Sequence, residues 1–388
     1  MNHDLIQHLP VENILNQQKP TPHIVIAGAG IIGASIAYHL ARRGAQVTIV
    51  DKAQPGSGTT KDSFAWINAT FSKQPWHYFR LNYLGIQAWQ LLERQLNGAL
   101  QIQWGGSIQW HSHTSQAQLL REQVQAHQAW GYGTHLVDEA QLRQLEPQVQ
   151  LGQVEAGAIC EEEGHVDPVH AVEVLLREAQ QLGAEVKTEC EVIEIDSLNG
   201  HLCAVKTTKG EIKADVLVVA CGVDTPRVAA LAGLTVPLKD SPGLLLHTTS
   251  QERLLQRVVL APSAHIKQMP DGRIVTGANF SGSLTTDTSA EQAKRMRAEA
   301  ARFLPQLKEH KSTFSTNIDK VSLGWRVLPK DDYPIIGYAG TQPPLYLAAM
   351  HSGITLAPLV GRLAATEILD GVEVELLQPY RLERFADE

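Results

Sequence analysis

The stretch HIVIAGAGIIGASIAYHLARRGAQVTIVDKA, beginning at His23, constrains the fold more than any other part of the chain. Residues 24–27 form an apolar run of strand length, 31–43 a helix rich in small residues, and 47–51 a second strand that ends on an acid. Gly28, Gly30 and Gly33 complete a GxGxxG pattern at the first junction. Gly28 permits the tight turn, Gly30 lets a pyrophosphate approach bare backbone, and Gly33 brings the helix against the sheet. The backbone of Ala29, Ile31 and Ile32 lies at the start of that helix, where orphan amides face phosphate charge. Asp51, followed by Lys52, stands where a carboxylate accepts from adenosine ribose hydroxyls and repels a 2′-phosphate, which disfavours NADP. The segment predicts a parallel, right-handed unit that binds a dinucleotide, either nicotinamide or flavin.

Other classes are disfavoured by composition. Lys and Arg number 33 against 41 Asp and Glu, a formal charge of −8, which argues against a nucleic-acid footprint. Cys160, Cys190, Cys203 and Cys221 form no CxxC pair and no regular ligand spacing, so neither a disulfide framework nor a metal site is expected. The N-terminal residues lack the basic start and apolar core of a signal peptide, and apolar runs such as VLVVACGV are strand-sized, well below the roughly 20 residues that span a bilayer. A soluble, cytoplasmic chain is the expectation, with peripheral membrane contact and a homo-oligomer both left open.

Further along, Phe79, Tyr83, Ile86 and Trp89 recur at helical spacing after Pro75, a packed aromatic stripe. A second domain is expected from about residue 100. In GHVDPVHAVEVLLREAQQLGAEV, Asp167 caps a helix, Pro168 occupies its first turn, and Gly183 releases the chain into a strand over 186–188. The next segment holds Asn199-Gly200 and Lys209-Gly210 turns between three short alternating runs, a meander before the apolar strand 216–220. A plain nicotinamide domain ordinarily has a helix at such a crossover, so the meander favours FAD. Strands and an Asp271-Gly272 hairpin dominate 236–319, and HSGITLAPLVGRLAATEIL returns as a glycine turn feeding a helix. Pointed at an isoalloxazine, the positive end of that helix would stabilise charge developing on reduced flavin; the alternative is a structural turn.

With these pieces in order from residue 23 to about 370, joined by ADVLVVACG, DGRIVTGANF and GWRVLPKDDYPIIG, the chain resembles the D-amino acid oxidase family of FAD-dependent oxidoreductases, which includes glycine and sarcosine oxidases. The resemblance implies an α/β fold: a discontinuous Rossmann-like FAD-binding domain over 21–100, 155–235 and 320–378, and a smaller α+β substrate domain over 101–154 and 236–319. An antiparallel sheet in the latter roofs the flavin. It also implies that Val192 lies near the adenine, that Ala220, Cys221 and Gly222 close a strand beside the cofactor, and that Gly353, Ile354 and Thr355 start the terminal helix against it.

For substrate, the resemblance points to Arg326 as a clamp on the carboxylate, with a structural ion pair or a flavin contact as the rival; a guanidinium presents two parallel donors to a planar carboxylate. Val327 stands where the family usually has proline. Lys267 and His265 alternate on one strand face, where either meets substrate or solvent. Asn279 and Phe280 are candidates for the roof, and Trp66 and Asn68 for the surround of the isoalloxazine or the pocket entrance, with packing beneath the sheet as the rival for Trp66; His351, which begins the turn before the last helix, contacts either the flavin or only the backbone. Sarcosine oxidases hold flavin through a cysteine near the start of the last FAD segment, but none follows Cys221 here, so noncovalent FAD is expected. Those enzymes also carry an oxygen-activating lysine where this chain has Val275, which leaves oxygen and a quinone or carrier both open as electron acceptor. The expected activity is hydride transfer from an amine or amino acid to flavin N5, then imine hydrolysis. Oxidation of a hydroxy acid and a non-catalytic FAD-bearing subunit are the alternatives.

Overall fold

A computed structural model describes residues 21–70, 73–278, 285–308, 318–340 and 344–386. The fingerprint strand His23–Ala27 lies in a six-stranded sheet, flanked in parallel by Gln46–Val50 and Val216–Val219. Glu185–Lys187 extends the sheet beyond Gln46–Val50, while Leu345–Ala349 and then the antiparallel Ile335–Ala339 extend it on the other side. Alternation decides which face each side chain serves. Ile24 and Ile26 join a cluster with the helices Ile31–Arg42, Pro168–Gln181 and Gly353–Asp370, whereas Val25 and Ala27 pack with Val192 and Val205 of the meander. The inner strands, His23–Ala27, Val216–Val219 and Leu345–Ala349, are buried on both faces, which is why they read as apolar runs.

The helix Ile31–Arg42 crosses the terminal helix closely. A Cβ on Gly361 would overlap the Ser35 hydroxyl, which itself donates to the Ala357 carbonyl at 2.7 Å. Asp167 caps Pro168–Gln181 by accepting from Val169 and His170, as its position before a proline implies. The meander is three antiparallel strands, Val192–Leu198, His201–Thr207 and Gly210–Lys213.

An eight-stranded sheet forms the second layer, ordered Ile318–Trp325, Pro242–Ser250, Arg273–Gly277, His265–Gln268, Val258–Leu260, Ser107–His111, Ala156–Cys160 and Thr134–Val137. All its pairings are antiparallel except Val258–Leu260 against Ser107–His111. Two of its strands, Ala156–Cys160 and Ile318–Trp325, lie at or beyond the 155 and 320 boundaries drawn from sequence. Among the described residues, no helix is long and apolar enough to cross a membrane, and no cluster of His, Cys, Asp and Glu could hold a metal ion.

Candidate active site

Between the two sheets lies a cavity of about 920 Å³, walled by the glycine turn, the end of Val216–Val219, the start of the terminal helix and the underside of the eight-stranded sheet. This is near the upper end of the roughly 300–1,000 Å³ common for small-molecule sites.

At its nucleotide end, Gly28 has φ +102, and a Cβ there would overlap the Ala220 carbonyl. A Cβ on Gly33 would overlap the Gly28 carbonyl oxygen, so these two glycines hold turn, helix and neighbouring strand together. Gly30 differs: its Cβ would meet only the Thr60 hydroxyl, 3.1 Å away, and Gly30 lines the cavity. Ala29 and Gly33 stand behind the wall; Gly28, Ile31 and Ile32 lie on it. The Ile31 N–H donates to Thr60 Oγ1 at 3.1 Å, and the Ala29 N–H to Asp51 Oδ2 at 2.7 Å.

Asp51 therefore fastens the glycine turn to the second strand. Its other oxygen accepts from the Ala53 N–H at 2.8 Å, while the side chain still borders the cavity. Lys52 is paired with Asp224. Val192, Ala220, Cys221 and Gly222 all line the cavity wall. Burial, with Asp51 and Asp224 nearby, pushes the Cys221 thiol up to about 12. It donates to the Ala27 carbonyl at 3.2 Å and is a packed thiol, not a nucleophile.

At the other end, the terminal helix begins after a His351-Ser352 turn whose Ser352 has φ +59. Its first turn is held from two sides. Trp89 Nε1 donates to the Ile354 carbonyl at 2.7 Å, and Thr355 Oγ1 donates to the Trp66 carbonyl at 3.3 Å while accepting the Asn68 N–H at 3.2 Å. The aromatic stripe read from sequence thus positions the helix end that faces the cavity. Gly353, Ile354, Thr355, Trp66 and Asn68 line it. Asn68 Oδ1 is buried with no protein partner among the described residues, an acceptor suited to a bound polar group.

Arg326 enters from the roof at the end of Ile318–Trp325, its backbone N–H donating to the Ser241 carbonyl at 2.9 Å. A Cβ on Gly243 would stand 3.3 Å from a terminal guanidinium nitrogen, so a glycine there leaves the head group room. His265 also lines the cavity, edge-on to Phe64 with ring centroids 4.5 Å apart. Burial, then the Arg326 charge, pushes His265 down to about 3; burial, then Lys73 and Arg326, does the same to His351. Both imidazoles are neutral near neutral pH.

Lys267 does not reach this cavity. It shares the strand face with His265, as alternation requires, but Phe64 forms the wall there: the Lys267 ammonium sits 5.4 Å from that ring and donates to the Val166 carbonyl at 3.3 Å. It is fully buried and meets neither solvent nor the cavity, and burial pushes it down to about 7. Asn279 and Phe280 lie outside the described residues. Sequence reasoning missed Lys73, which is buried on the wall, donates to Ser352 Oγ and lies 5.2 Å from the Tyr78 ring centroid. Its only signal was a lone lysine in a loop before a helix.

The glycine cradle that a Cβ would fill, the helix end aimed at the opposite side and the unpartnered Asn68 oxygen fit an extended dinucleotide such as FAD. A family model described as FAD dependent oxidoreductase, the DAO family, matches residues 23–367. The chain belongs to this family. This DAO-family chain is 27% identical over 376 residues to an opine oxidase subunit of Agrobacterium tumefaciens (strain Ach5), covering 93% of the chain and 97% of that protein. It is 26% identical over 374 residues to glycine oxidase of Bacillus licheniformis, covering 93% and 96%. Its fold is that of the glycine oxidase from Geobacillus kaustophilus, with TM-score 0.82 at 24% identity over 94% of this chain and 99% of that one. The DAO-family assignment makes the protein an FAD-dependent oxidoreductase, in a family whose chemistry is oxidation of amine and amino-acid C–N bonds.

Proposed function

We propose that this protein oxidises the C–N bond of an amino acid or secondary amine bearing an α-carboxylate, with FAD held noncovalently. The observation that carries the reading is the Arg326 guanidinium on the wall of the cavity that also holds the glycine turn and the start of the terminal helix. Relatives named for glycine and opine oxidation support the substrate class.

FAD bound in this cavity would supply a two-electron acceptor for the hydride of the α C–H, and the imine left behind adds water to give an oxo acid or aldehyde plus ammonia or a smaller amine. The chain's own residues bind and orient. Gly28, Gly30, Ile31 and Ile32 form the pyrophosphate cradle, with Ala29 and Gly33 fixing its shape from behind. Asp51 offers its remaining lone pairs to the ribose, beside Lys52, and Val192 borders the adenine. Ala220, Cys221 and Gly222 flank the middle of the cofactor; Gly353, Ile354 and Thr355 present the positive helix end to the ring.

Arg326 orients the substrate carboxylate so that the α C–H faces the ring, a positioning effect worth several kcal/mol when reacting atoms are aligned. His351 and His265, being neutral, place no additional charge beside the amine. No side chain is needed as a dedicated base, because the amine enters as its neutral form. The electron acceptor is oxygen or a quinone or carrier.

The test is a panel of amino acids, N-alkyl amino acids and 2-hydroxy acids given to the FAD-loaded protein, with products identified. Ammonia or a released amine in step with substrate loss is the expected result. Turnover confined to hydroxy acids would overturn it.

A further inference from the structure

We infer that Lys73 is a second anion clamp in this cavity, and that the substrate is an amine carrying two carboxylates, one for Arg326 and one for Lys73. The inference rests on the amine-oxidation reading and specifies its substrate.

Lys73 is 6% exposed and borders the cavity next to the turn before the terminal helix. An ammonium has three N–H donors, and here one goes to Ser352 Oγ. The Ser352 hydroxyl lies 3.1 Å from the Tyr78 hydroxyl, and the ammonium lies over the Tyr78 ring, so the lysine head is held by neutral groups. Among the described residues, no carboxylate pairs with it. A buried cation held only by neutral groups is costly to desolvate, and an incoming anion offsets that cost.

The carboxylates on the same wall are engaged elsewhere. Asp51 holds backbone amides, Glu191 pairs with Arg227, Asp224 with Lys52, Asp331 with Arg384 and Asp332 with Lys239. Asp62 is half-buried, with Lys61, Lys320 and Ser322 bearing on its carboxyl. The cavity thus presents Lys73 and Arg326 to a ligand without a protein carboxylate committed to Lys73. Lys73 is bonded to Ser352, the residue after His351, and Lys73, His351, Ser352 and Arg326 all border the same cavity. A dicarboxylic secondary amine, with an acid arm on each side of its nitrogen, matches two such cations.

The test compares iminodiacetate with N-propylglycine, which replaces one acid arm by a neutral one of similar length. Dissociation constants are read from the shift in the flavin spectrum on anaerobic binding, and reduction rates from its bleaching. In the wild type, iminodiacetate is expected to bind at least tenfold tighter, as a charge-assisted contact gives about 10- to 100-fold. Lys73→Met should collapse that preference, and Lys73→Arg should restore part of it. A wild-type preference below tenfold, or an undiminished preference in Lys73→Met, overturns the inference. So does a Lys73→Met effect that weakens both amines equally or costs only FAD affinity, which would make Lys73 a cofactor contact. If Lys73→Met does not fold, the wild-type ratio alone decides. Spectral shifts without reduction by any amine would sink the amine-oxidation reading while still testing the clamp.

Discussion

Asp51 Oδ2 accepts the Ala29 backbone N–H at 2.7 Å, tying the acid at the end of the second strand to the middle of the glycine turn. The same carboxylate holds the Ala53 N–H at 2.8 Å. Asp51→Ala strands two donors, each worth about 1–3 kcal/mol if left buried without water. We expect a loss of up to about 2–6 kcal/mol for the pair in urea unfolding, with FAD affinity falling at least tenfold in reconstitution of the apoprotein. Unchanged stability and affinity would show that the turn holds its shape without the carboxylate.

Gly30 and Gly33 should respond differently to one added methyl. In Gly33→Ala the Cβ overlaps the Gly28 carbonyl oxygen, so the apoprotein itself should be severely destabilised. In Gly30→Ala the new group meets only the Thr60 hydroxyl at 3.1 Å, and it projects where the pyrophosphate would lie. Melting of the apoprotein should be nearly unchanged while FAD retention is lost. Equal effects of the two substitutions on apoprotein melting would contradict this division.

Replacing Arg326 tests the substrate end of the cavity. Arg326→Met should lower kcat/KM for an α-carboxylate amine by about 10- to 100-fold, the worth of a charge-assisted pair. The preference for an amino acid over its amide should fall toward one. A variant that loses activity equally on both compounds would place Arg326 on the flavin or in the scaffold instead.

Lys267 gives a pH signature. Burial lowers it to about 7 in the folded protein, against an ordinary value near 10.4 in the unfolded chain. Between these values the unfolded chain holds a proton that the native state lacks, so stability rises with pH, by up to about 1.4 kcal/mol per unit. Asp167 and Arg273 bear on this ammonium with opposite signs, and His165 is depressed beside it. Lys267→Met should be more stable than wild type at pH 7.5, and that advantage should shrink at pH 8.5. A pH-independent difference in urea unfolding would refute the buried, largely neutral lysine.

Much of this arrangement was legible in the sequence because it is local. The GxGxxG turn, the Asp167-Pro168 helix start, the two-glycine meander and the Asp271-Gly272 hairpin each depend on neighbours within a few positions, and each stands where its residues place it. The resemblance carried Arg326 and the terminal helix to one cavity despite a separation in sequence from the glycine turn. Other features depend on contacts that only the assembled sheets create. Alternation put Lys267 and His265 on one face, but nothing in the strand foretold that Phe64 would wall the lysine off. The lone lysine in the loop before a helix was too weak a signal for Lys73, because its significance comes from Ser352, almost at the other end of the chain. Asp51 was read as a ribose ligand alone, although an acid at that position also has backbone amides within reach.

The most direct test of amine oxidation is anaerobic mixing of the FAD-loaded protein with amino acids and N-carboxyalkyl amines while its visible flavin absorption is followed. Bleaching that saturates with substrate, accompanied by one oxo product per flavin reduced, is the predicted result. A protein that retains no flavin, or whose flavin stays oxidised with every amine and is bleached only by a hydroxy acid, would contradict it.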